Sequence, residues 1–344
     1  MKAIIKKATR VLGDYELKYP LDCDGEIMGK EFKIHLDNVV GKILFPKLSP
    51  DFVSAQTTGK LENTDRRIPG PVCPISASWG NEEDAFGCTE WGQTMAFPKG
   101  NSLVKRIILE FYLTENDIET GAQTIYNYVD SWFERFYDIY EIVSKVPIKK
   151  KEQEIPPLVQ GYGFRSAGVI LHTIDPNTKK LIPIHNKNDN GAHITVEVLN
   201  GHLKYEALVK IIDFTNEQKD LFFDYRYYLE GFRAFHKEDY KKTITVCAPA
   251  LEASLLNGIR TFAKNKNIYF LDKLLKKYKM LGGYFALAKD IDMVLPTQDY
   301  QTALLNLRND VVHNGYAPQK EETEKYLTDV RLYLDTFSTG ILEK

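Results

Sequence analysis

The chain has 344 residues, 43% apolar and 27% charged, with a formal net charge of −2. This length suggests two domains, and the composition is that of an ordinary globular protein rather than a disordered or collagenous one. No window approaches the roughly 18 uninterrupted apolar residues needed to span a bilayer, and the charge balance excludes a basic nucleic-acid glove of the usual kind.

Met1 to Arg10 carries Lys2, Lys6, Lys7 and Arg10 without the apolar core of a signal peptide. Cys23, Cys73, Cys88 and Cys247 are scattered, with no CxxC and no Cys/His cluster. Isolated thiols suit a reducing compartment better than a disulfide scaffold, so a cytoplasmic location is expected, without a zinc site. Residues 1–214 hold 26 Lys and Arg against 29 Asp and Glu, and residues 215–344 hold 19 against 18. Any contact with a polyanion must therefore come from a local patch.

The first 115 residues read as β-rich. Glu31–Leu36, Gly41–Phe45 and Val104–Leu113 favour strands between Pro and Gly punctuation, with turns or loops at Gly70–Pro74 and Trp79–Asn81. From Gly121 to Val143 the period changes. Ile125, Tyr128, Val129, Trp132, Phe133, Phe136, Ile139, Tyr140 and Val143 follow helical spacing, which predicts a long amphipathic helix packed on the sheet. Lys149–Lys151, between prolines, reads as a solvated connection. Gly161 to Ile212 returns to strand-like patterning, with Gly168–Ile174 and His193–Leu199 as strands. His172, His185, His193 and His202 match no metal-binding spacing, and no Walker loop, GxGxxG, GxSxG or HExxH occurs. No cofactor is expected. Residues 1–214 thus form a β-rich domain with one long helix near 121–144.

From Thr215–Glu217, which reads as a helix start, the chain is helical to its end. Predicted helices cover Leu221–Phe235, Tyr240–Phe262, stretches near Tyr269–Met280 and Gly283–Leu295, then Gln298–His313 and Glu321–Phe337. The fold class is therefore α+β, a β-rich N-terminal domain followed by an all-α bundle over 215–344. The helix Gln298–His313 has Leu304, Leu307, Val311 and Val312 on an apolar face. It ends on Asn314-Gly315, with Pro318 beyond.

Arg308 and His313, separated by four residues, with Asn309 directly after the Arg, resemble the signature of the HEPN superfamily. Upstream, Asp239–Ile244 followed by Ala250-Leu251-Glu252-Ala253-Ser254-Leu255 resembles the aromatic-basic opening and Ala-Leu-Glu segment of many HEPN bundles. The resemblance covers about the last 125 residues. It implies a small helical bundle, and in many members a metal-independent ribonuclease that works as a homodimer. A β-rich region ahead of such a bundle is similar to the ApeA-type phage-defence proteins, which implies a sensor or regulatory domain answering an unknown trigger.

Cleavage of RNA without metal needs a base for the 2′-hydroxyl, an acid for the leaving 5′-oxygen, and a cation for the phosphate. His suits either proton duty near neutral pH, and a guanidinium holds phosphate oxygens without deprotonating. His313 and Arg308 are the residues expected to fill these roles. On a regular helix they lie about 140° apart in azimuth, so the helix end must bring them together. Asn309 could hydrogen-bond the phosphate or the imidazole. Asp310 could orient the ring or pair with Arg308, and Glu252 could be a partner of Arg308 or a boundary carboxylate. Tyr316 follows His313 by three residues. Read without the upstream helices, the motif is first a salt-bridging helix residue, Arg308, and a C-terminal cap, His313.

Arg260, Lys264, Lys266, Lys273, Lys276, Lys277 and Lys279, opposed by Asp272, form either a solvated helical surface or a track for an RNA backbone. Tyr269, Phe270 and Tyr278 interleave with them, and burial is their expected fate. The sequence thus points to a HEPN-type endoribonuclease in a defence or toxin setting, acting on RNA, homodimeric, with no membrane contact. The alternative is a non-catalytic HEPN module that binds RNA or protein.

Overall fold

A computed structural model of the chain describes residues 8–45, 86–89, 92–96, 101–114, 118–148, 168–174, 181–183, 203–217 and 221–338. The architecture is α+β, with an antiparallel sheet in the N-terminal part and helices in the C-terminal part. The chain divides into two compact units. One comprises Met1–Tyr140 with Gln153–Gln218, and the other Glu141–Glu152 with Lys219–Lys344.

In the first unit, β1 (Ala8–Asp24), β2 (Glu31–Leu36), β3 (Val39–Leu44), β6 (Asn101–Thr114), β7 (Gly168–Ile174) and β8 (Leu181–Pro183) lie in the order β2-β3-β6-β1-β7-β8. A hairpin of β4 (Phe86–Thr89) and β5 (Gly92–Ala96) attaches to β6 through β5. In β2, Phe32, Ile34 and Leu36 are buried, Glu31 and Lys33 are exposed and His35 is half-buried, which is the period of two that a half-buried strand imposes. The central strand β1 pairs with β6 and shifts register between Glu16 and Leu21. Pro20 lies inside that shift, where a residue without an N–H costs no ladder bond.

Helix α1 (Ile118–Ser144) sets its aromatic stripe against β1. Tyr15 stacks on Phe133 at 4.2 Å and Tyr19 meets Tyr137 edge-on at 5.0 Å. Tyr128, expected on that stripe, is exposed. The region leading to Ile212, read as strands, ends in helix α2 (Tyr205–Asn216), which buries Leu208, Ile211, Ile212 and Phe214. Thr215 and Asn216 close this helix rather than open the next. The Thr215 hydroxyl donates back to the Ile211 carbonyl at 2.6 Å, a bond that Ser and Thr make as readily as a cap. Asn216 Oδ1 accepts from the His35 amide at 2.9 Å, and its Nδ2 donates to the Lys33 carbonyl at 2.8 Å, anchoring α2 to β2. The strand expected over His193–Leu199 and the turns at Gly70–Pro74 and Trp79–Asn81 lie outside the described residues.

The second unit holds α3 (Phe223–His236), α4 (Tyr240–Asn265), α5 (Leu271–Lys277), α6 (Met280–Asp290), a π-helical turn (Gln301–Asn306), α7 (Leu307–His313) and α8 (Lys320–Phe337). Three of these helices stop in the same way. Glu238, Asn267 and Asp292 adopt left-handed backbone, and the next residue donates to a carbonyl five positions back: Asp239 to Ala234, Ile268 to Ala263, Met293 to Ala288. These are Schellman closures made without glycine. Asp239 then caps α4, its side chain accepting from the Lys242 amide at 3.0 Å. Gly231 lets α3 approach α4 closely, since a Cβ there would collide with Cys247 Sγ. Helix α4 meets α8 through Ser254, whose hydroxyl donates to the Tyr333 carbonyl at 2.8 Å. The last turn of α1 belongs to this unit. Its buried Glu141 accepts from Arg233 Nε at 2.7 Å, and Arg331 Nη1 donates to the Ile142 carbonyl at 2.7 Å. Among the described residues no helix is long and apolar enough to cross a membrane.

Candidate active site

Helix α7 is entered through the π-helical turn Gln301–Asn306. Tyr300, just before it, stacks flat on the buried Phe285 at 4.6 Å, and Leu304, Leu305 and Val311 reach the core. The apolar face therefore differs from the expected one. Leu307 is half-buried, and Val312 is exposed. Single π turns inside α-helices occur often at functional sites, and here one delivers the next residues, Leu307–His313, to the surface.

Arg308 Nη1 lies 3.3 Å from His313 Nε2. The two residues meet in spite of their angular separation on a helical wheel. Helical side chains lean toward the N-terminus, so the His313 ring falls back over the preceding turn, within reach of the long Arg308 side chain. A guanidinium only donates hydrogen bonds. A hydrogen bond across this contact therefore needs His313 Nε2 as the acceptor, which is the tautomer carrying its proton on Nδ1. The same Nη1 also donates to Asn309 Oδ1 at 3.0 Å. Arg308 is half-buried, whereas Asn309 and His313 are exposed.

Asp310 builds the end of the helix. Its carbonyl accepts from the amides of Asn314 at 3.0 Å and Tyr316 at 3.1 Å, and its Oδ1 accepts from Asn314 Nδ2 at 2.8 Å. Its carboxylate is thus hydrogen-bonded to Asn314, the partner that neither sequence reading named. Gly315 has φ of 69°, and its carbonyl accepts from Lys241 Nζ at 3.0 Å. Nothing lies within 4 Å of a Cβ placed on Gly315, so the glycine is required by backbone conformation alone. Gly315→Ala is expected to cost about 1 kcal/mol, seen as a lower urea midpoint. The Tyr316 hydroxyl donates to Glu322 at 2.9 Å, which raises its pKa and engages it with α8.

Glu252, on α4, is half-buried and within electrostatic reach of Arg308. Burial pushes its carboxyl above the ordinary value of 4.5, and the Arg308 charge opposes that shift without cancelling it. Charging a carboxyl with a raised folded pKa costs folding energy. Its contribution is fully present below the unfolded value and is lost as pH rises through the folded one. Glu252→Gln should therefore gain stability on the wild type as pH rises through the range just above 4.5, measured as the difference between their urea midpoints. A difference that does not change with pH would contradict this.

Two contributors were not singled out from the sequence. Lys241 ties the cap to the first turn of α4, and its signal was the basic start Tyr240-Lys241-Lys242. Tyr326, on α8, is fully buried, and its hydroxyl lacks a hydrogen-bond partner among the described residues. Burial raises its pKa, and the Arg308 charge pulls it back. Its signal was the 4-and-3 spacing of Tyr326, Val330 and Tyr333. Arg308 thus stands between an exposed His and two groups further in.

The predicted RNA-binding residues occupy other elements. Arg260 and Lys264 are exposed on the last turns of α4, and Lys273, Lys276 and Lys277 are exposed on α5. Among the described residues no group of three or more His, Cys, Asp or Glu is placed to hold a metal ion. Neither family models, nor curated proteins, nor solved structures give a match to this chain.

Proposed function

We propose that the chain is an endoribonuclease of HEPN type that cleaves RNA without a metal. The observation that carries this reading is the 3.3 Å contact between Arg308 and His313 on a solvent-facing helix end. A phosphate arriving at this end competes for the guanidinium, whose fork suits two non-bridging oxygens. As Arg308 turns to the phosphate, His313 Nε2 is released as a base. It takes the proton of the 2′-hydroxyl while O2′ bonds to phosphorus, and the P–O5′ bond breaks. Arg308 then stabilises the charge that builds on the phosphorane oxygens.

The leaving 5′-oxygen needs a proton that one neutral His does not supply. We therefore place two copies of the chain in the active enzyme, with a protonated His313 of the second copy as the acid. Val312, exposed beside His313, gives such a pairing an apolar contact. In this reading the protein acts in the cytoplasm, in a defence or toxin setting, and its β-rich part restrains the helical part until a trigger binds.

A second reading, a non-catalytic HEPN module that binds RNA or protein, is favoured by one observation. Arg308 Nη1 is already engaged within the chain, by Asn309 and His313. Incubating the full chain with a mixed RNA pool in EDTA separates the two. Fragmentation supports the nuclease, while RNA that is bound and stays intact supports the module.

A further inference from the structure

Helix α5 buries none of its residues, and the turn before it is equally open. Tyr269 is 90% exposed and Phe270 58% exposed, against the expectation that both would be buried. The cause is the Schellman closure of α4. Asn267 takes left-handed backbone, the Ile268 amide donates back to the Ala263 carbonyl, and the next two residues leave the helix outward. Tyr278 differs, being half-buried with its hydroxyl bonded to Asp290.

Two successive aromatic rings in water leave their faces open to a ligand that can stack on them. The surroundings indicate its chemistry. Lys264, on the last turns of α4, and Lys273, Lys276 and Lys277, on α5, flank the rings in the chain and are exposed, with Asp272 exposed among them. None of the four lysines takes part in an ion pair among the described residues. A protein partner that buried the rings would also have to cover these cations. A polyanion with π faces satisfies both needs, because bases stack on the rings while phosphates meet the ammonium groups. Bases paired inside a duplex offer only their edges, so stacking selects unpaired nucleotides.

We infer that Tyr269 and Phe270, with the lysines that flank them in the chain, form a stacking site for single-stranded RNA. This rests on the nuclease reading in taking RNA as the ligand, and the site lies on elements other than that of Arg308 and His313. Its role is to hold an unpaired stretch of the strand being cut.

The test uses the full chain carrying His313→Ala, which removes cutting, and a fluorescently labelled mixed-sequence RNA dodecamer. The dodecamer is presented single-stranded or annealed to its complement, and binding is read by anisotropy. Single strand is expected to bind more tightly than duplex. Adding Tyr269→Ala and Phe270→Ala should weaken the single strand about tenfold to a hundredfold and leave the duplex nearly unchanged. Tyr269→Phe with Phe270→Tyr should restore binding. Lys276→Gln with Lys277→Gln should weaken both ligands and flatten the salt dependence. Unchanged single-strand affinity in the alanine pair, equal loss for both ligands, or a change only in self-association by light scattering would each overturn the site. If the alanine pair fails in this way while the chain with His313 intact still cuts RNA, the stacking site falls and the nuclease stands. If the alanine pair loses single strand but the intact chain never cuts, the nuclease falls and the site stands.

Discussion

His313→Ala is expected to lower the rate of RNA cleavage by about 10²–10⁴-fold, the usual contribution of a positioned general acid or base. In a paired enzyme one substitution removes both proton carriers, so the upper part of that range applies. Arg308→Ala should lower the rate by about 10²–10³-fold through lost stabilisation of the phosphate charge. Arg308→Lys keeps the charge but loses the fork that suits two non-bridging phosphate oxygens, and should recover only part of the activity. His313 is exposed and Arg308 half-buried at a helix end, so these changes should move stability by about 0.5 kcal/mol or less. Equal urea midpoints beside unequal rates would separate chemistry from folding. Full activity in His313→Ala would remove this residue from the mechanism.

The largest stability loss is expected at Phe285. Its ring is 1% exposed, stacked on Tyr300 at 4.6 Å and edge-on to Tyr333 at 5.7 Å. Phe285→Ala removes both contacts and leaves a cavity, for a cost of about 3–5 kcal/mol. Phe285→Leu should cost about 1–1.5 kcal/mol, because most of the volume stays. Far-UV circular dichroism against urea reads both. Tyr300 leads into the π-helical turn, so the alanine variant should also lose RNA cleavage at temperatures where it remains folded. Loss of less than about 1 kcal/mol would mean that Tyr300 and Tyr333 collapse into the space.

The α+β division was legible because the period of the apolar residues changes. Alternation over Glu31–Leu36 matches β2, and three-and-four spacing through Trp132 and Phe136 matches α1. Helix α2 was hidden because Val209, Ile211, Ile212 and Thr215 are β-branched, and their composition masks a helical burial pattern. The position of Arg308 and His313 at a helix end could be read from Asn314-Gly315, and Gly315 indeed takes positive φ. Their contact could not, since a helical wheel follows Cα positions and not the reach of a side chain. Nor does the π-helical turn leave a mark in the pattern of apolar residues. Exposure of Tyr269 and Phe270 was decided by the backbone of Asn267, and only the tolerance of Asn for left-handed geometry hinted at it.

If His313 takes the 2′-hydroxyl proton so that O2′ displaces O5′, the products carry the mark of that displacement. Mass spectrometry of the product ends from wild type and His313→Ala, each incubated with RNA in EDTA, reads it. The predicted result is 2′,3′-cyclic phosphate on one end and 5′-hydroxyl on the other, from wild type alone. Ends bearing 5′-phosphate, or the same cyclic products from His313→Ala at the wild-type rate, would contradict it.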